Sequence, residues 1–306
     1  MKKILTTIFA TALAFSAYAN DIYVTQSGDA LDLDITQDGN NNTVGNSTTA
    51  SASAGATTIL NIDQVGDSNV ITYQIAGATY TGVINLVGNS NNVDLNCDAG
   101  GSNSSCGTAN AVINFTGSSN DIDLDIGQTS SANTADVDIV GQSGSDSNVI
   151  TYQIAGATYT GVINLVGNSN NVDLNCDSGG SNSSCGTANA VINFTGSSND
   201  IDLDIGQTSS ANTADVDIVG QSGSDSNVVA ATVDGNSAIL TITVNGDTNN
   251  YLIDIDGNGD SVGHTLIHSH TGGIADVDII QSGVNDNMIT LTTSGDNADI
   301  DISQTD

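Results

Sequence analysis

The sequence predicts an all-β chain wound as a β-solenoid, and three observations predict it. Residues 67–145 and 146–224 are one segment written twice, with Ser178 in place of Ala99 as the single difference. A stack of coils tolerates such a duplication because each coil touches only its neighbours, whereas a catalytic centre needs one unrepeated arrangement of groups. Glycines followed by small polar residues recur at steps of 11 or 12, as at Gly28 and Gly39, at Gly223, Gly235, Gly246 and Gly257, and at Gly283 and Gly295. Between them the pattern alternates with period two. In Asp121-Ile122-Asp123-Leu124-Asp125-Ile126 the apolar residues share one face and the carboxylates the other, which is strand periodicity.

Taken in order, the chain opens on a targeting segment. Lys2 and Lys3 precede an apolar run from Ile4 to Phe15, and Ala17-Tyr18-Ala19 is a small-x-small cleavage site. Residues 1–19 are expected to be a secretory signal peptide, too short and wrongly flanked for a membrane span. Residues 20–306 are expected to form a single solenoid domain. A low-complexity loop is expected near 45–58. Beyond it, the step from Gly66 to Gly88 holds two strand-turn units of about 11 each, so a coil of about 22 is expected. Gly88 to Gly117 is longer and carries extra loop residues. The core is expected on the inward alternation: Ile122, Leu124, Ile126, Val137 and Ile139, with Ile201, Leu203, Ile205, Val216 and Ile218 as their copies in the second block. Asp299-Ile300-Asp301-Ile302 ends the chain on the same design.

All 35 acidic residues are Asp, and Lys2 and Lys3 are the only Lys or Arg, so the chain after residue 19 carries a formal charge of −35. Such a surface excludes nucleic acid and anionic membranes as partners, since their binding rests on Lys and Arg. It attracts cations instead. Stacked coils would set aspartates about 4.8 Å apart, where neighbouring charges repel by roughly 0.9 kcal/mol in water. A continuous ladder would then need protons or cations for relief. Calcium is a candidate ligand but no cofactor is required.

Four cysteines form two copies of one pair, Cys97 with Cys106 and Cys176 with Cys185, each bracketing a Gly/Ser/Asn loop. In an exported chain that count suggests local disulfides. Bridges between copies, free thiols or a metal site are the alternatives.

Several stretches resemble the curlin repeat of bacterial curli fibres, Gln-x-Gly-x-x-Asn with a second Gln about eleven residues on. Gln37-Asp38-Gly39-Asn40-Asn41-Asn42 and Gln64-Val65-Gly66-Asp67-Ser68-Asn69 match it, and Gln26 and Gln37 give the eleven-residue spacing. Gln142, Gly144 and Asn148, Gln221, Gly223 and Asn227, and Gln281, Gly283 and Asn287 repeat it with one extra residue. Coils around Gly88 and Gly117 keep Gly-x-x-Asn without the Gln. The resemblance implies an extracellular, cell-surface subunit that joins copies of itself head to tail as functional amyloid. It also implies a role in adhesion and biofilm, served by secretion and nucleation machinery. Asn and Gln amides are expected to hydrogen-bond along the stack. Neither Pro nor Lys, the usual blockers of strand edges, occurs after residue 19.

The chemistry-bearing groups give weaker readings. His264, His268 and His270 sit at even positions, so one strand would put them on one face, where Asp260 or Asp276 would complete a transition-metal site. A divergent polar loop is the expectation preferred for them. Asp256-Gly257-Asn258-Gly259-Asp260 echoes a calcium-binding repeat once. Paired aspartates are too common to mark a glycosidase, and no enzyme is expected. A monomeric calcium-supported adhesin or fibre tip is the alternative function. Thr241-Ile242-Thr243 and Thr290-Leu291-Thr292 raise ice binding as a lesser one.

Overall fold

A coil of this chain must turn tightly, run extended, and turn again, and its residue types dictate where. Ile, Val and Leu at alternate positions favour pleated strands with one buried face, while Gly, Ser, Asn and Asp supply the turns. The computed structural model describes residues 21–27, 30–39, 42–45, 51–66, 68–96, 108–126, 134–142, 146–154, 158–175, 187–205, 213–235, 237–257, 264–282 and 287–305. No helix occurs among them.

The N-terminal strands are β1 (Asp21–Ile22), β2 (Thr25–Ser27), β3 (Ala30–Asp38), β4 (Thr43–Val44), β5 (Ser51–Val65) and β6 (Val70–Val87). The duplicated region adds β7 (Asn92–Asn96), β8 (Thr108–Thr116), β9 (Asp121–Ile126), β10 (Thr134–Gly141), β11 (Val149–Ile154), β12 (Thr158–Val166), β13 (Asn171–Asn175), β14 (Thr187–Thr195), β15 (Asp200–Ile205) and β16 (Thr213–Gly220). The C-terminal strands are β17 (Val228–Gly235), β18 (Ser237–Asn245), β19 (Asn249–Gly257), β20 (Thr265–Thr271), β21 (Ala275–Ser282), β22 (Met288–Ser294) and β23 (Ala298–Thr305).

Every pairing is parallel, and strands alternate between two walls. One wall, here the threonine wall, stacks β3, β5, the end of β6, and then the even-numbered strands from β8 to β22. The other, the aspartate wall, stacks β4, the start of β6, β7, and then the odd-numbered strands from β9 to β23. Parallel strands need a crossover, and here each crossover is the opposite wall of the same coil. The chain is therefore a β-solenoid.

The coil averages about 26 residues and is larger than the glycine spacing suggests. On the aspartate wall, Val149 pairs with Asn171, Asn171 with Asp200 and Asp200 with Val228. These partners stand 22, 29 and 28 positions apart, as do the hydrogen-bonded asparagines that immediately precede them. Val149 and Val228 are separated by the length of one duplicated block, so each block is three whole coils. Most of the extra residues fall at the corner leading from the aspartate wall to the threonine wall, and two more fall at the return corner after β10 and after β16. The return corner is tight and nearly constant. The segment expected as a loop near 45–58 is extended from Ser51 onward, where β5 pairs with β6 from Ser51 to Val65.

Inward residues of the two walls close one continuous core. Ile122, Leu124, Val137 and Ile139 are fully buried, as are Ile201, Leu203, Val216 and Ile218 in the second copy. Large residues are interspersed with small ones along one column, so Tyr80 and Tyr159 fill space left by Ala109, Ala135 and Ala188. Gly161 has to be glycine, because a Cβ there would lie 2.4 Å from the Val137 carbonyl oxygen.

Candidate functional site: a laddered corner, two unlike faces and an open end

The constant corner carries the most regular chemistry. In the turns whose residues are all described, a glycine is followed by a left-handed residue and then by a buried asparagine. Ser68, Ser90, Ser119 and Ser198 take the left-handed position at φ 59–64°, and Gly66, Gly88, Gly117 and Gly196 lie two residues earlier at φ 121–142°. The asparagines Asn42, Asn69, Asn91, Asn120, Asn148, Asn170, Asn199, Asn227 and Asn249 form one ladder of nine. At a representative rung, Asn120 donates its backbone N–H and its Nδ2 to Asn148 Oδ1, both at 2.9 Å. The same Nδ2 donates to the Gly117 carbonyl at 2.9 Å. Its own Oδ1 accepts from Asn91 N at 3.1 Å and Asn91 Nδ2 at 2.9 Å. The side chain thus bonds the coil above, the coil below and its own turn. The ladder stops at Asn249, whose N–H donates to the Ile274 carbonyl, where no asparagine stands.

This ladder contains Asn42, Asn69, Asn148 and Asn227 of the sequence motif, and it adds Asn91, Asn120, Asn170, Asn199 and Asn249. The Gly-x-x-Asn spacing was the signal that found Asn91 and Asn120 without any glutamine. Gly39 and Gly66 turn the corner at φ 136° and 139°, and Gly223 does so at 85°. Glutamines do not form a matching row. Gln37 and Gln64 are buried and joined, Gln64 Nε2 donating to Gln37 Oε1 at 2.6 Å, but Leu86 takes the next position. Gln142 and Gln221 are exposed. The extra residue in their units is absorbed at the corner: Ser224 is buried and donates its N–H to the Gln221 carbonyl, returning Asn227 to the ladder while Gln221 turns outward. Gln281 lies on the aspartate wall and accepts from Gln304 Nε2 at 3.2 Å. Asn287 leaves the ladder altogether, accepting the His264 N–H at the start of β22. Gln26 lies in β2 beside Ser53 of β5. Gly144 and Gly283 are outside the described residues, as are Cys97, Cys106, Cys176, Cys185 and Asp260.

The two outward faces differ in charge. Asp94 stacks on Asp123, Asp173 on Asp202, Asp276 on Asp299 and Asp278 on Asp301, all on the aspartate wall. Among the described strands no column holds three aspartates in succession, so the expected continuous ladder is replaced by stacks of two. Thr72, Thr151, Ala230 and Leu252 separate them. Partial burial raises the pKa of Asp94, Asp123 and Asp173 above the usual carboxylate value. The charges of Asp94 and Asp121 add to the rise at Asp123, and that of Asp202 at Asp173. Asn92 and Asn96 point amides at Asp121 and Asp125, each at 3.4 Å, further diluting the repulsion.

The threonine wall is quieter. Its last three strands, β18, β20 and β22, carry no carboxylate at all. Thr241 and Thr290 share an outward column with Ile267 between them, and Thr243 and Thr292 share the next with Ser269 between. The two Thr-x-Thr pairs therefore line up two coils apart.

No family model matches this chain, and no curated protein or solved structure matches it either. The site has to be read from its own chemistry.

His268 and His270 are not in a loop, and His264 lies just before their strand. Thr265–Thr271 is a strand, and His264, His268 and His270 all point into the core. Asp276 is on the outer side of β21, so the expected His-and-Asp metal set is not brought together. Among the described residues no group of three or more His, Cys, Asp or Glu converges as metal ligands would. No helix among them is long and apolar enough to cross a membrane.

Among the described strands, β22 pairs only with β20 and β23 only with β21. The inward residues of β23 have no coil above them, leaving Ile300 37% and Ile302 48% exposed. Asp278, Ile280, Ile302 and Ser303 line a shallow cavity of about 410 Å³ beside that edge.

Proposed function

We propose that this chain is a curlin-like structural subunit, exported and assembled outside the cell by head-to-tail stacking into a functional-amyloid fibre that supports adhesion and biofilm. The observation that carries the reading is the bare last coil: two unpaired parallel edges, with Ile289, Leu291, Ile300 and Ile302 only partly covered. An open edge of this kind pairs with another strand unless it is blocked. Another coil would extend both walls in register and bury these residues as the preceding coils bury theirs. The function is structural, with no catalytic group assigned, and calcium acts at most as a counter-ion for the aspartate wall.

Electron microscopy and sedimentation of the chain lacking residues 1–19 test this directly. Fibres that lengthen with concentration are expected, and Ile300→Lys with Ile302→Lys should stop them while leaving the fold intact by circular dichroism. Discrete short rods from the unsubstituted chain would refute fibre assembly and favour the monomeric calcium-supported adhesin. A second reading draws on the uncharged columns of Thr241, Thr243, Thr290 and Thr292. Such a face suits a neutral ordered surface such as ice, and thermal hysteresis is its readout.

A further inference from the structure

Along the threonine wall one inward column is a run of nine isoleucines, from Ile35 through Ile139 to Ile242. The tenth place in that column is His268, with Leu291 above it. His268 is 0% exposed, and neither of its ring nitrogens has a hydrogen-bond partner. The neutral ring therefore points an N–H into hydrocarbon in either tautomer, and the protonated ring would bring two N–H groups and a full charge there. His270, two residues on, uses Nδ1 in a 2.9 Å bond with the Tyr251 hydroxyl and leaves Nε2 buried and unpartnered.

We propose that the coil containing β20 is an acid-released latch. Protonation of His268 and His270 detaches the chain from Thr265 onward and uncovers the edges of β18 and β19 beneath. The latch belongs to the single chain, and in a fibre it belongs to the copy at the free end.

Every element packed against the pair agrees. From β19, the Tyr251 ring lies 4.3 Å from the His268 ring and 5.8 Å from the His270 ring, edge to face. On the chain entering β20, His264 is occupied by the Ala238 N–H at Nδ1. Inward residues of β18 and β22 are Leu240, Ile242 and Val244, and Ile289, Leu291 and Thr293. Across the core, β21 offers Val277, Ile279 and Gln281. Among the described residues the one carboxylate acting on the pair is Asp247, in the turn before β19, which draws the His270 pKa upward against the larger downward effect of burial. No inward carboxylate balances a charge on His268. Burial, and then the neighbouring His270, push its pKa down to about 4.

A released strand would regain the ordinary imidazole value near 6.5. The closed coil then binds fewer protons than the open one, so closure is fully favoured above about pH 6.5 and weakens as pH falls toward 4. Release is local because only β22 and β23 lie beyond β20 and β21, and in a stack each coil depends on its neighbours alone.

Hydrogen exchange followed by mass spectrometry between pH 7.5 and 4.5 tests the latch, comparing Thr265–Ser282 with the body strands β11 to β15. The unsubstituted chain should lose about 70-fold protection in Thr265–Ser282 relative to the body, the ratio set by imidazole pKa values of about 6.5 and about 4. His268→Ile, which continues the isoleucine column, should abolish that loss. Equal pH profiles for the two chains would overturn the proposal. Should His268→Ile misfold, His268→Leu replaces it, and an NMR titration of the His268 ring in the unsubstituted chain decides independently. A midpoint below pH 5 in the closed coil supports the latch, and one near 6.5 overturns it.

Discussion

Removing one rung from the middle of the asparagine ladder should cost far more than removing its first rung. Asn120→Ala deletes four side-chain hydrogen bonds: two donated by Nδ2, to Gly117 O and Asn148 Oδ1, and two accepted by Oδ1 from Asn91. Asn91 Nδ2 keeps its bond to Gly88 O, and Asn148 Oδ1 keeps the backbone N–H of residue 120. Two groups are orphaned, the Asn91 N–H and the Gly117 carbonyl. Each buried unsatisfied group costs about 1–3 kcal/mol, so the variant should lose roughly 2–6 kcal/mol. Asn42 begins the ladder. Its side chain donates to Gly39 O at 3.2 Å, and its backbone bond to Asn69 Oδ1 survives truncation. Asn42→Ala should therefore lose only about 1 kcal/mol. Urea denaturation followed by circular dichroism, with hydrogen exchange to detect coil-by-coil opening, measures both. Equal losses, or less than about 1 kcal/mol for Asn120→Ala, would show that the ladder merely occupies the corner and contributes little to holding coils together.

Three further outcomes follow from the packing. Leu124→Asp places a carboxylate at a fully buried position and should cost several kcal/mol; an unshifted denaturation midpoint would show that the inward face is misassigned. Deleting residues 67–145 removes three whole coils and should leave a folded β-protein by circular dichroism, whereas a deletion of half that length in the same region should not, and equal outcomes would refute the coil boundaries. Asp94, Asp123 and Asp173 titrate above their unfolded values, so the folded body binds more protons and gains stability as pH falls toward those raised values. With stacks of two at roughly 0.9 kcal/mol each before screening, Asp94→Asn with Asp173→Asn should raise the melting temperature at pH 7 and flatten its acid response; a lower melting temperature would contradict the repulsion.

Strands were legible in the sequence because alternation such as Ile122, Asp123 and Leu124 reports one buried face whatever lies around it. The corner asparagines were legible through Gly-x-x-Asn, since the spacing is set by the turn itself. Coil size was not: residues inserted at the variable corner leave wall pairing untouched, so glycine spacing underestimates the coil. Glutamine rows were not legible because Gly141 and Gly220 take the column of Gln37 and Gln64, which puts Gln142 and Gln221 one place further along the wall on its outward side, while the longer corner still returns Asn148 and Asn227 to the ladder. The histidines read as a polar loop because polarity suggests exposure. Only the pairing of Ile242 with His268 reveals that they occupy core positions, and that pairing joins strands with a whole coil of chain between them.

The whole-number relation between block and coil has a consequence for inheritance. Two near-identical blocks in a gene invite unequal recombination, and in most proteins the gain or loss of so long a segment would shift every later contact. Here the register after residue 224 is unaffected, because Val228 meets the same kind of neighbour whether one, two or three blocks precede it. Each block adds about 14 Å of rod, three strand spacings of about 4.8 Å. The gene thus holds a ruler with a fixed graduation, and its reach can be reset in a single event without any new surface having to be selected.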